Sequence, residues 1–282
     1  MISCKVYNCD TPYVEYYVTR DKFSPKKKNI PDFCPDGWYP ANLIDYDGHS
    51  AVLGSPYQYD PFDGDVVYMD KPDEDDDTYN SRLHNVSRLR STVYDYAVSN
   101  KWEYFGTITL NGKYCPRDDI SIAYKKLSKF LDNYKQRYSS DFQYLILPEL
   151  HADRKTWHFH GLFSSMGEDI VSFRDCDVIP RKIAKKLAKG EDVYKWLSID
   201  KTFGFCSLIS VYGSDVNCAK YMAKYIIKSA ECLSDPIYKK FRFLRTSSNL
   251  SKPLKLIVDA LPDDCHLVYH NEYVFIYRKE LS

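Results

Sequence analysis

The chain has 282 residues, enough for one large domain or two small ones around a sizeable core. Hydrophobic residues make up 44% and charged residues 28%, a globular composition, and no run of apolar residues is long enough to suggest a membrane-spanning helix. The formal net charge of zero hides a division: residues 1–100 carry 10 basic and 17 acidic side chains and residues 101–282 carry 29 and 22, so only the second part suits a polyanion.

The opening, MISCKVYNCDTPYVEYY, has no apolar stretch behind a basic start, and no secretory signal is expected. Nine cysteines without a CxxC pair suit free thiols in a reducing cytoplasm better than a disulfide framework. Residues 1–80 hold eight of the 14 prolines, from Pro12 to Pro72, with Gly37, Gly48, Gly54 and Gly64 among them. Such density breaks helices and central strands, so this stretch is expected to be an irregular acidic extension or small subdomain. The run DEDDD at 73–77 reads as its solvated boundary.

Residues 81–282 are expected to form the main domain. A helix at 81–99 leads into a strand, Tyr104–Leu110. The next helix, 117–138, sets Ala123, Leu127, Phe130, Leu131, Tyr134 and Tyr138 at spacings of three and four, leaving Lys125, Lys126, Lys129 and Lys135 outside. Strands follow at Phe142–Leu147 and Thr156–Phe163, then a short basic helix at Arg181–Lys189. A strand at Phe205–Val211 and a helix from about Ser214 to Ala230 come next. Strands at Leu254–Val258, Leu267–Tyr269 and Tyr273–Tyr277 end the chain, the last two closing a hairpin around His270-Asn271-Glu272. This order predicts an α+β fold with an antiparallel-rich sheet.

Two stretches carry chemistry. In a strand, His158 and His160 of His-Phe-His project to the same face, and paired neutral imidazoles suit a divalent metal. Glu149 lies nine residues upstream, and a hairpin through Asp153 and Arg154 returns it toward the pair. A His-His-carboxylate set with open positions suits Mg²⁺ or Mn²⁺ acting on a phosphate. The plainer alternative is two half-exposed strand histidines beside a surface carboxylate. The second stretch is Tyr221-Met-Ala-Lys224-Tyr225-Ile-Ile-Lys228. On a helix, Tyr221 and Tyr225 share one face, as do Lys224 and Lys228. A phenol can attack phosphorus, and neighbouring positive charge favours its ionised form. Read alone, the same stretch is an amphipathic helix with packed tyrosines and solvated lysines.

Taken in order, FGTITLN (105–111), ELHADRKTWHFHGLF (149–163) and YMAKYIIK (221–228) closely resemble the three motifs of the HUH endonucleases. The nearest likeness is to rolling-circle replication initiators of small single-stranded DNA phages, prophages and plasmids, of the paired-tyrosine type. The resemblance spans roughly residues 100–230 and implies a five-stranded antiparallel sheet with flanking helices, related to ferredoxin-like and RNA-recognition folds. It implies His158 and His160 as the metal pair, Glu149 as the carboxylate ligand, and Tyr221 and Tyr225 as catalytic tyrosines, each followed by a lysine, Lys224 or Lys228. Asn111 and Lys220 become expected DNA contacts. The implied activity is Mg²⁺- or Mn²⁺-dependent nicking and rejoining of single-stranded DNA at a replication origin, through a 5′-phosphotyrosine, in the cytoplasm of a host cell.

Two departures qualify the likeness. Cys4, Cys9 and Cys34 make no tetrahedral zinc pattern of the kind phage relatives often carry near the N-terminus. The chain also lacks a phosphate loop: Gly106 to Gly112-Lys113 has the wrong spacing, and Tyr114 stands where Ser or Thr is needed. Helicase and polymerase would therefore come from the host or an accessory protein. A relaxase or single-strand transposase would share the chemistry. A non-catalytic single-strand-binding module would use the aromatics and lysines alone.

Overall fold

Two antiparallel sheets dominate a computed structural model of the protein, which describes residues 2–19, 57–59, 66–68, 88–151, 153, 155–212, 222, 241–270 and 274–281. The chain divides into two units, one of Met1–Ser99 with Lys252–Ser282 and one of Asn100–Ser251. The architecture is α+β, as expected.

In the first unit, β1 (Ile2–Tyr7) and β2 (Tyr13–Thr19) join β12 (Leu254–Val258), β13 (His266–His270) and β14 (Val274–Glu280) in a sheet of order β12-β1-β2-β14-β13. A separate hairpin pairs β3 (Tyr57–Tyr59) with β4 (Val66–Tyr68), and α1 spans 88–98. Polar groups inside this unit are paired, as burial requires. Glu15 is fully buried; it accepts from Arg278 at 2.8 Å and from the Tyr17 hydroxyl at 2.7 Å. Asp95 of α1 accepts from Lys5 and from the Tyr7 hydroxyl, each at 2.9 Å. The division differs from the boundary at residue 80 drawn from composition. The first residues are regular strands rather than an irregular extension, and the C-terminal hairpin pairs with them rather than with the second unit.

The second unit contains β5 (Tyr104–Thr109), α2 (Ile120–Arg137), β6 (Gln143–Leu150), β7 (Trp157–Ser164), β8 (Ile170–Ser172), α3 (Arg181–Ala188), β9 (Val193–Trp196), α4 (Leu197–Thr202), β10 (Cys206–Ser210) and β11 (Arg245–Thr246). Its sheet runs β11-β6-β7-β5-β10-β9-β8. Five central strands thus carry two short edge strands, making seven where five were expected. The sequence places α2 by its cap and its stripe. The Asp119 carboxylate accepts from the Ile122 amide at 3.0 Å, and Ile120, Ala123, Tyr124, Leu127, Leu131 and Tyr134 are buried at helical spacing.

That stripe packs on one sheet face through aromatic rings. Tyr124 lies 5.1 Å from Phe159, and Tyr134 lies 5.0 Å from Trp196, itself 5.2 Å from Phe163. Gly106 and Gly161 are opposite each other on β5 and β7, and a Cβ on either would sit 2.6 or 2.7 Å from the Phe163 ring. Glycine at both positions makes the room that Phe163 fills. Much of the aromatic content is therefore core. Among the described residues no helix is long and apolar enough to cross a membrane.

Candidate functional site

Strand β7 lies between β6 and β5, and its register assembles the site. His158 is opposite Glu149 on one side and Thr109 on the other; His160 is opposite Leu147 and Thr107. Side chains at period two share a face, so Thr107, Thr109, Glu149, His158 and His160 all stand on the side away from α2, while Phe159 points to that helix.

Each imidazole is held through Nδ1. Thr107 Oγ1 is 3.2 Å from His160 Nδ1, and Thr109 Oγ1 is 3.3 Å from His158 Nδ1. His160 Nε2 meets Glu149 Oε2 at 2.5 Å, in a pair whose side chains are only 7% and 15% exposed. Phe105 stacks 5.8 Å from His160, and His151 stacks 4.9 Å from His158. Burial holds the His158 pKa below the ordinary imidazole range; the charges of His151, His160 and Arg117 push the same way, and Glu149 opposes them. His158 is thereby kept neutral, the form that ligates metals.

The turn between β6 and β7 is pinned by Asp153. Its carboxylate accepts from the Lys155 and Thr156 amides at 2.9 Å each and from the Thr156 hydroxyl at 2.7 Å. These bonds favour the ionised form and hold its pKa far below the usual carboxylate range.

The donor set fits a hard divalent cation. Two imidazoles have Nδ1 committed to hydroxyls, the way metal-ligating histidines are oriented, and a carboxylate lies within reach of one Nε2. Among the described residues no group of three His, Cys, Asp or Glu side chains is already arranged around a metal position. Glu149 and His160 instead bond each other directly, and the proton between them is what a cation would displace.

Asn111, expected at the DNA, follows β5 in a tight turn. Its Oδ1 accepts from the Lys113 amide at 3.0 Å, and its carbonyl accepts from the Tyr114 and Cys115 amides. It also lines a surface cleft of about 320 Å³ with Thr109, Leu110, Gly112, Arg117 and Phe205. Lys220, Tyr221, Lys224, Tyr225 and Lys228 lie outside the described residues. The structure therefore brings together Glu149, His158 and His160, and adds Thr107 and Thr109, which sequence reasoning passed over. The signal for them was present: Thr-Ile-Thr alternates in β5 as His-Phe-His does in β7.

Residues 103–230 match the family model of the replication-associated protein ORF2. The likeness to replication proteins expected from the three motifs holds at that level, over a segment containing every proposed site residue. Curated proteins and solved structures give no match.

Proposed function

We propose, on the premise of this match to a replication-associated family, that the protein initiates rolling-circle replication by nicking and rejoining single-stranded DNA at an origin. The observation that carries the reading is the gathering of Glu149, His158 and His160 on one sheet face, with a threonine on each imidazole. Mg²⁺ or Mn²⁺ held by these three residues would supply charge stabilisation at the scissile phosphate and at the leaving 3′ oxygen.

The remaining roles fall to the chain itself. Tyr221 and Tyr225, placed by sequence alone, are the nucleophiles. The phenolic oxygen of one bonds to phosphorus as the P–O3′ bond breaks; the phenol loses its proton and the 3′ oxygen gains one. The products are a 5′-phosphotyrosine and a free 3′ hydroxyl for a polymerase. The second tyrosine cuts the regenerated junction, and the released 3′ hydroxyl attacks the first phosphotyrosine to rejoin the strand. Lys224 and Lys228 favour the phenolates or balance phosphate charge. Asn111 and Lys220 contact the strand. The reaction runs in the host cytoplasm, with helicase and polymerase supplied by the host or an accessory protein.

The test is incubation of labelled single-stranded oligonucleotides with the protein and Mn²⁺, followed by denaturing electrophoresis. A covalent adduct is expected from wild type and none from the His158→Ala, His160→Ala double variant; equal adduct from both would refute the metal assignment. Tyr221→Phe and Tyr225→Phe should each still form adduct, and the double variant none. A second reading, a non-catalytic single-strand-binding module, is favoured by the direct Glu149–His160 bond, which satisfies both groups without a metal. Retained binding with no adduct under any condition would select it.

A further inference from the structure

The cleft beside the histidine pair combines three features seldom found together by chance. Its wall includes Thr109, whose hydroxyl holds His158, so the cleft adjoins the metal-ligand face. Its cation is Arg117, which is exposed and, among the described residues, has no carboxylate within ion-pair distance. The neighbouring Asp119 carboxylate is committed to capping α2. Its aromatic is Phe205, 36% exposed and backed by the buried ring of Phe173 at 6.0 Å. Fixing an exposed ring from behind prepares it to stack on something in front, at little further entropic cost.

Backbone bonds make this a built cleft rather than a loose loop. The Thr109 amide donates to the Phe205 carbonyl at 2.8 Å, and the Asn111 amide donates to the Phe203 carbonyl at 2.7 Å. Gly204, between those two partners, has φ +129°, and a Cβ there would lie 2.6 Å from the Thr109 carbonyl oxygen. Only glycine allows the two segments to approach this closely, so Phe205 is fixed against the end of β5.

We infer that this cleft holds one nucleotide of a single strand, next to the phosphate facing the histidine pair, with its base on Phe205 and its phosphate on Arg117. The inference rests on the nicking function proposed above and adds a subsite to it. Its volume of about 320 Å³ lies at the lower end of the roughly 300–1,000 Å³ of small-ligand sites, which suits one nucleotide unit rather than a stack of several. Guanidinium on phosphate and ring on base is the pairing that non-sequence-specific single-strand sites use.

The experiment measures equilibrium binding by fluorescence anisotropy in EDTA, where metal-dependent cleavage cannot interfere. The probe is a labelled oligothymidylate of about 20 nucleotides, longer than the roughly 4–16 a single-strand site covers. Phe205→Ala is expected to weaken binding about tenfold or more, with Phe205→Trp restoring it. Arg117→Gln should lower the slope of log K against log salt by about 0.7, the value for one phosphate contact on a single strand, while Phe205→Ala leaves the slope unchanged. Melting temperatures of all three variants should stay at the wild-type value, since both side chains are exposed. If the variants bind as wild type does, the subsite is refuted, and adduct formation by wild type would leave the nicking function standing. If wild type neither binds the probe nor forms adduct, the subsite and the nicking function fall together.

Discussion

The threonines behind the imidazoles give the most exacting test of the site. Changing both to valine (T107V/T109V) keeps β-branched side chains in β5 and removes only the hydroxyls facing His160 and His158. In the tautomer that leaves Nε2 free to ligate, Nδ1–H donates to the threonine oxygen, so each hydroxyl fixes both ring orientation and proton position. Losing such a partner costs roughly 10–100-fold in metal affinity. The distances of 3.2 and 3.3 Å lie at the long end for hydrogen bonds, which favours the lower figure, about tenfold or about 1.4 kcal/mol per threonine. The two losses act on one ion and are not independent, so the double variant should fall between about tenfold and a hundredfold. Mn²⁺ titration calorimetry at fixed pH reads this directly. The serine pair (T107S/T109S) keeps the hydroxyls and should bind nearly as wild type does. Valine variants within about threefold of wild type would refute positioning by the threonines, because the outer-partner cost would be missing. Serine variants as weak as valine would reduce the role to packing.

Gly161→Ala should destabilise the protein by about 1–3 kcal/mol in denaturant titration, by overpacking. The new Cβ would lie 2.7 Å from Phe163, 2.9 Å from Ile146 and 3.0 Å from the Leu145 carbonyl oxygen, and that backbone atom cannot swing aside; unchanged stability would contradict the packing around Phe163. Glu15→Gln should cost about 3–5 kcal/mol because it leaves Arg278 mostly buried without its counter-charge, and an accompanying Arg278→Met should recover part of the loss. Asp153→Asn tests the β6–β7 turn through pH. The folded pKa of Asp153 lies below the unfolded value of about 3.9, so its stabilisation is complete above roughly pH 4 and is lost as pH falls through the lowered folded pKa. Stability curves of wild type and variant should therefore converge on acidification; a constant gap down to the acid limit would remove the carboxylate from the account.

Local pattern made some elements legible and left others out of reach. Helix α2 could be read because Asp119 and the apolar stripe after it act within one or two turns. Leu254–Val258 was readable as a strand from its own composition, but its pairing with β1 was not. Ile2 and Val258 face each other across nearly the whole chain, and nothing in either segment names the other. Proline density in residues 1–80 drew attention away from β1 and β2, whose alternating Tyr and Val residues lie on either side of Pro12. Strands β8 and β11, of three and two residues, are shorter than any window in which a period of two can be recognised.

At the site, residue types were legible and contacts were not. His-Phe-His in a strand puts both imidazoles on one face whatever the fold, so the pair survives almost any error in topology. Glu149 depends on the turn. It sits opposite His158 in the register, yet its carboxylate reaches diagonally to Nε2 of His160, two residues along β7. Diagonal neighbours lie within range of a long side chain, so counting residues cannot choose between the two imidazoles. What chooses is the loop pinned by Asp153, which sets the strands in step. A slip of one residue there would carry Glu149 to the face occupied by α2 and leave both histidines facing an apolar neighbour. The three bonds to Asp153 are thus the local feature on which the carboxylate's membership of the site depends, and they lie in the loop rather than in the motif that drew attention to it.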